Sequence, residues 1–316
     1  MNSWIKVLVA SFGFTSFAVH AITLNPLIDS FELVELLDAS QVKVLEVRSN
    51  EKSYAKQHIP GSIHISYSEF RGPNTNPGKL PKMKLLAQSL GSRGLSPSDA
   101  VVIVHDGVTT TDFGSAARVY WTLKSFGFKN LAILNGGFRS YQKNGFRLTS
   151  EITKVTPKVA KLEFNDKWYA DTDEVKKQVL GSENARLLDA RADDFFAGKA
   201  WHDAAARPGI LPGADQFSFE EFFDKKSPLL MGSDEVTQIV RSNNLDQPGT
   251  ISYCNTGHWA ATNWFVLSEI ANVDDVKLYA ESMVEWSADN NPMENVPTAV
   301  QFAILKTKKW FGNLVN

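Results

Sequence analysis

Apolar residues in this chain come in short, unbroken runs, separated by segments with helical character, and the order of these blocks occurs twice. Val42–Val47 is a strand-like run closed by Arg48, and Ala185–Ala190 is a similar run closed by Arg191. A Pro-Gly turn follows each: Ile59-Pro60-Gly61-Ser62 in the first half, Leu211-Pro212-Gly213-Ala214 in the second. Proline fixes φ and glycine permits a positive φ, so the pair is a turn signal with a mechanism. Val101–Val104 and Thr250–Tyr253 are the next matched strands. Each leads through a loop into a helix that begins with small residues and turns aromatic one turn later, Ser115–Leu123 and Ala260–Leu267. The last pair is Leu131–Leu134 before Gly136-Gly137-Phe138, and Val276–Tyr279 before Glu281-Ser282. Strands alternating with helices predict parallel sheets flanked by helices, an α/β class. A period of roughly 145 residues is too long for a solenoid and predicts duplication of a whole domain. The expected organisation is a first domain over 22–150, a linker over 151–165, a second domain over 166–299 and a tail over 300–316.

Composition narrows the class. Of 316 residues, 43% are hydrophobic and 22% charged, which is ordinary for a soluble globular protein. The net charge of -2 and the absence of a basic run of five residues speak against a nucleic-acid partner. Lys306-Thr307-Lys308-Lys309 reads as a solvated helix face, and Val300–Leu305 as part of a final helix packing on a domain. Residues 1–21 stand apart: one positive charge at Lys6, an uncharged apolar run Val7–Val19, then small residues around His20 in Val19-His20-Ala21. That anatomy predicts a cleaved secretory signal peptide. The run falls short of the roughly 20 residues needed to span a bilayer. Export is therefore expected, to the periplasm if the host is Gram-negative, with no stable membrane insertion after cleavage.

A single cysteine, Cys254, cannot form an intramolecular disulfide. It is either an inert buried thiol or a reactive one. Its surroundings favour reactivity. Ile251-Ser252-Tyr253 ends a strand, Cys254 follows at once, Asn255-Thr256-Gly257-His258 forms a short loop, and a helix begins near Trp259 or Ala260. In parallel α/β domains such junctions lie at the carboxyl edge of the sheet, where ligands bind. Helix N-termini present unpaired N–H groups and partial positive charge, an environment that favours thiolates.

These features resemble the rhodanese family, in its tandem form of thiosulfate or 3-mercaptopyruvate sulfurtransferase. The resemblance rests on Leu45-Glu46-Val47-Arg48, His58-Ile59-Pro60-Gly61-Ser62 and Leu134-Asn135-Gly136-Gly137-Phe138 in the first half. In the second half it rests on Leu188-Asp189-Ala190-Arg191, Leu211-Pro212-Gly213-Ala214 and the loop from Cys254 to Trp259. It implies an inactive first domain, a catalytic second domain and a site in the cleft between them. It also implies a Cys254 persulfide, formed from a small anionic sulfur donor and discharged to a thiol or cyanide acceptor. Asn255, Thr256, Gly257, His258 and Trp259 would supply the amide cradle, with Arg191 and Arg207 as candidate anion contacts and His258 a further one if protonated. An arginine at a strand end more often pairs with buried carboxylates or carbonyls, so a structural role is the first reading of Arg191. No metal or organic cofactor is implied, and with one cysteine and scattered histidines no metal-ligand cluster is readable.

The sequence departs from the family in several places. Phe195 and Thr256 stand where cationic side chains are usual, and bulky Trp259 closes the loop where threonine is familiar. The first domain has no cysteine, and rough alignment places Asp106 at the nucleophile position. A phosphatase or arsenate reductase of related fold would need an arginine six positions after the cysteine, where Ala260 stands. A non-catalytic sulfur-binding or scaffold protein is the alternative reading. His58 and His64 are expected at the surface or as caps, and the eight tryptophans in the core. Export has a direct check: N-terminal sequencing of protein made in its host should begin near Ile22, and a retained Met1 would contradict it.

Overall fold

The structure, a computed structural model, describes residues 22–182 and 184–315, with side chains up to Phe311. The proposed signal peptide, residues 1–21, lies outside the described residues. Among the described residues no helix is long and apolar enough to cross a membrane.

The first half builds a five-stranded sheet from β1 (Leu27–Ile28), β2 (Lys43–Glu46), β3 (Ile63–His64), β4 (Ala100–Val104) and β5 (Asn130–Leu134), in the order β1-β5-β4-β2-β3. The second half builds a four-stranded sheet from β6 (Arg186–Asp189), β7 (Asp215–Gln216), β8 (Thr250–Tyr253) and β9 (Val276–Leu278), in the order β7-β6-β8-β9. Every strand pair is parallel. At the β9 edge, Tyr169 makes a single parallel bridge to Leu278, in the place that β1 holds beside β5. The α/β class and the repeat are as the sequence predicts. Central strand β4 is an unbroken apolar run and β8 is buried at every position, because helices cover both faces of a parallel sheet.

Hydrogen-bond register aligns the two halves residue by residue. Val47 N donates to Val104 O as Ala190 N does to Tyr253 O. Phe138 N donates to His105 O as Met283 N does to Cys254 O, and Arg139 N to Asp106 O as Val284 N does to Asn255 O. The counterpart of Cys254 is therefore His105, not Asp106, which matches Asn255. His105 is fully buried, and burial lowers its pKa to about 4, so its ring is neutral.

The two halves share one hydrophobic cluster. Its seam is the helix Thr110–Ser125 packed against the helix Trp259–Phe265, which runs on into a π-helical turn, Val266–Ile270. Phe113 and Tyr120 meet Phe265 edge-on at 5.6 and 5.0 Å between ring centres. Lys124 and Tyr120 both reach the half-buried Glu269, at 2.6 and 2.8 Å. Asn135 clamps Leu230 by donating to its carbonyl and accepting from its N–H, at 2.9 and 3.0 Å. Gly114 lies so close to His258 that an added Cβ would sit 2.8 Å from Nε2.

Two expectations, for His58 and for the tryptophans, need correction. His58 is fully buried, with its two ring nitrogens 2.8 and 3.0 Å from the carbonyl oxygens of Tyr54 and Glu151. Trp310 is exposed on the final helix, Ala299–Val315, while Trp121, Trp264 and Trp286 are core residues. That final helix packs through Phe302 on Trp201 and Lys309 on Asp203, leaving Val300 and Ile304 in solvent.

Candidate active site

Cys254 follows β8 directly and is 1% exposed. Asn255, Thr256 and Gly257 are also buried, and His258 and Trp259 are half-buried. Each carbonyl in the first four positions is held by a donor outside the loop. Cys254 O accepts from Met283 N (3.2 Å) and Asn255 O from Val284 N (3.1 Å). Thr256 O and Gly257 O accept from Nη1 of Arg118, at 3.5 and 3.4 Å. Cys254 N is taken by Ser282 Oγ at 3.1 Å, and that hydroxyl donates to Tyr279 O at 2.7 Å.

The amides that follow are different. Among the described residues, the N–H groups of Asn255, Thr256, Gly257 and His258 meet no acceptor. A buried N–H left unpaired costs about 1–3 kcal/mol, so a succession of them on the buried Asn255, Thr256 and Gly257 is a large outlay for a protein of ordinary stability. Successive free amides in a curled loop form an anion-binding concavity. Gly257 makes the curl, with φ of +64°. An added Cβ there would meet Ala280 O at 2.5 Å and Arg118 Nη1 at 2.6 Å.

The first domain supplies an internal contrast. Its counterpart loop turns Val108 N and Thr109 N onto the carboxylate of Asp112, at 2.8 and 2.9 Å. A built-in carboxylate takes two amides of that loop, and among the described residues nothing fills the one at Cys254.

Arg118, carried by the first domain, is fully buried and ties the domains together at the loop. Its Nη2 donates to Gly78 O at 2.7 Å. Burial and the neighbouring Arg71 lower its pKa to about 10, so it stays charged at neutral pH. Glu281, beside the loop, has its pKa raised by burial to about 7 and accepts from the Tyr169 hydroxyl at 3.0 Å.

The cations expected from the sequence are spent elsewhere. Arg191 is buried against Asp189 at 2.6 Å, donates to Gly209 O at 2.9 Å, and touches the loop only through Asn255 Oδ1 at 3.3 Å. Burial opposes its charge, and Asp189 more than offsets that, raising its pKa above the usual arginine value. Arg207 binds Met293 Sδ, Asn290 Oδ1 and Asn291 O, none of them in the loop.

His258 is fixed by the first domain. Its Nε2 faces Thr111 O at 2.9 Å and must carry the hydrogen, while Nδ1 lies 2.8 Å from the Tyr67 hydroxyl. Arg71 Nη1 donates to that hydroxyl at 2.7 Å, which leaves the phenol proton for Nδ1. Burial and the charge of Arg71 press the His258 pKa down to about 3. The ring is neutral at physiological pH, so the expected role as a protonated anion contact is unsupported. Arg71, Tyr67 and Arg118 escaped notice in the sequence because only the interdomain packing brings them to the loop. Trp259 closes the loop, stacked on Phe219 at 5.3 Å and edge-on to Phe195 at 5.6 Å. Among the described residues no group of three metal-ligating side chains comes together.

Comparison with known proteins follows the same division. The family model for a rhodanese-like domain matches twice, at residues 31–144 and 171–289. The chain belongs to the rhodanese-like family. It is 29% identical to a putative thiosulfate sulfurtransferase of Synechococcus elongatus, over 84% of each chain. It is 30% identical to the thiosulfate sulfurtransferase of Cricetulus griseus, over 80% of this chain and 84% of that one. Among solved structures, the anaerobic ergothioneine biosynthesis enzyme of Chlorobium limicola superposes with a TM-score of 0.75 at 21% identity, covering 85% of this chain and 70% of the other. This rhodanese-like chain thus shares its fold with enzymes of diverged sequence.

With the sulfur nearly enclosed, the indole of Trp259 is expected to limit access. Trp259→Ala should speed alkylation of Cys254 by iodoacetamide by about tenfold, since a packed indole excludes reagent that a methyl admits. An unchanged rate, read by mass spectrometry, would show that entry lies elsewhere.

Proposed function

We propose that this chain is a sulfurtransferase that carries a sulfane sulfur as a persulfide on Cys254. The observation that carries the reading is the run of unpaired amides from Asn255 to His258, set against the counterpart loop where Asp112 takes two amides. The named relatives, a thiosulfate sulfurtransferase and a second protein given that name as putative, match along most of their length and support sulfur transfer as the reaction class.

In the proposed reaction the Cys254 thiolate attacks the outer sulfur of a small anionic donor. With thiosulfate, a bond forms between Sγ and that sulfur, the donor's S–S bond breaks, and sulfite leaves with the electron pair. With mercaptopyruvate, the C–S bond breaks, and the carbon that keeps the electron pair takes a proton to give pyruvate. The terminal sulfur carries the negative charge, and the amides of Asn255 to Trp259 hold it as an oxyanion hole holds an alkoxide. A cyanide or thiol acceptor then removes it, completing double-displacement covalent catalysis. Neutral His258 acts as a positioning residue, fixing the loop to the first domain, and Arg191 orients Asn255.

The alternative, a non-catalytic sulfur-binding or scaffold protein, draws its support from the 1% exposure of Cys254. Intact mass separates the two. Incubation with thiosulfate or mercaptopyruvate should add one sulfur atom to the wild-type protein and none to Cys254→Ser. Absence of an adduct with any sulfane donor, or full transfer activity in the serine variant, would overturn the sulfurtransferase reading.

A further inference from the structure

The final helix, Ala299–Val315, carries an apolar stripe on the side that faces away from the protein. At 3.6 residues per turn, Phe302, Leu305 and Lys309 share one face, and these are the half-buried positions. Phe302 meets the Trp201 ring edge-on at 5.3 Å, and Lys309 pairs with Asp203. The opposite face carries Val300, Ile304, Thr307 and Phe311, with Trp310 beside it. Val300 is 71% exposed, Ile304 51%, Trp310 60% and Phe311 56%. The Thr307 hydroxyl donates to Ala303 O at 2.9 Å, so even the polar member of the stripe has its proton bonded within the helix. A helix seated on a domain usually buries its apolar face; this one shows it to solvent.

Cations border the stripe. Lys306 lies on one side of it and Lys308 on the other, both exposed. Neither has a carboxylate partner among the described residues, and the helix contains no acidic residue. On the Lys308 side the apolar surface continues into a groove of about 630 Å³ between the helix and the second domain. Phe196, Val296, Pro297, Ile304 and Leu305 line that groove, and a third unpaired lysine, the exposed Lys199, stands at it.

We propose that the final helix docks the protein on an anionic phospholipid membrane. It lies along the surface, with Val300, Ile304, Trp310 and Phe311 at headgroup depth and Lys306 and Lys308 on lipid phosphates. Shape and charge select a lipid surface over a protein groove. The stripe is a convex ridge, and lysines flanking such a ridge lay their stems along the apolar boundary while their ammonium groups reach the phosphates. A protein groove that took the ridge would have to pair or bury charges on both sides of it, at a desolvation cost that a hydrated headgroup layer does not impose. Tryptophan also favours the interfacial layer, where its ring is half in water and half in hydrocarbon. Because no described helix is long and apolar enough to cross a bilayer, the docking is peripheral and reversible.

Vesicle co-sedimentation of the full-length protein tests the proposal. The wild type should sediment with vesicles of equal parts phosphatidylglycerol and phosphatidylcholine, far less with pure phosphatidylcholine, and should be released by raised salt. Lys308→Gln should weaken partitioning about fivefold, the scale for one lysine at an anionic surface, and Lys308→Arg should leave it unchanged. Replacing Trp310 and Phe311 together by alanine should weaken it by about tenfold through lost apolar burial. These three side chains are exposed, so the substitutions leave the contacts of Phe302 and Lys309 in place. Failure of the wild type to sediment with the anionic vesicles would overturn the proposal. Equal partitioning of all variants would also overturn it, by assigning the binding to residues outside the helix. A dimer that forms in place of vesicle binding, and that Phe311→Ala abolishes in light scattering, would give this face to a second copy of the chain and overturn it too.

Discussion

The carbonyls of the cysteine loop are bound from outside it, and its amides are left free. That one constraint organises the molecule. Met283 and Val284 take two carbonyls through their backbone, and Arg118 reaches across from the other domain to take two more. Once the oxygens are pulled outward, Gly257 completes the curl, because only glycine tolerates both its positive φ and the approach of Arg118 and Ala280. Burying a guanidinium is costly unless it is hydrogen-bonded. Arg118 meets that condition with carbonyls from both domains, so the loop's shape and the domain interface depend on the same side chain.

Duplication gave the two halves one scaffold and two outcomes. Phe138 and Met283 hold the residues after β4 and β8 through the same hydrogen bond. Gly137 and Ser282, the residues before them, both adopt a positive φ, at 58° and 54°. In the second domain the serine hydroxyl at that position also takes the N–H of Cys254, a contact glycine cannot make. In the first domain a neutral histidine replaces the thiol and an aspartate occupies the loop amides. The first domain contributes Arg118, Tyr67 and Arg71 to the second domain's loop, so it is part of the site's architecture.

Much of this was legible in the sequence, and the limits have physical causes. The unbroken apolar run Val101–Val104 marks a central strand, and Thr250–Tyr253, which is Thr-Ile-Ser-Tyr yet buried at every position, recurs in the matching place. The junction at Cys254 stood out because a lone thiol followed a strand and preceded a glycine-containing loop and a helix. Val101–Val104 lacks any alternation that would fix where the strand ends, which is why the sequence alone points to Asp106 where the register gives His105. The resemblance points to Arg207 and closeness to Cys254 points to His258, yet packing gives Arg207 to Met293, Asn290 and Asn291 and leaves the His258 ring neutral. Arg71 and Arg118 act across the domain boundary, and no local pattern encodes that reach. His58 sits beside a turn, a place that suggests exposure, but its two carbonyl partners permit full burial.

The free amides can be observed directly. In ¹⁵N-labelled protein, treatment with thiosulfate should move the N–H resonances of Asn255, Thr256, Gly257 and His258 downfield together, as hydrogen bonds to a terminal sulfur anion form. Val108 and Thr109, already bonded to Asp112, should stay still. If Cys254 takes up sulfur while those four resonances remain in place, the cradle is not what holds the charge, and the account of this loop is wrong.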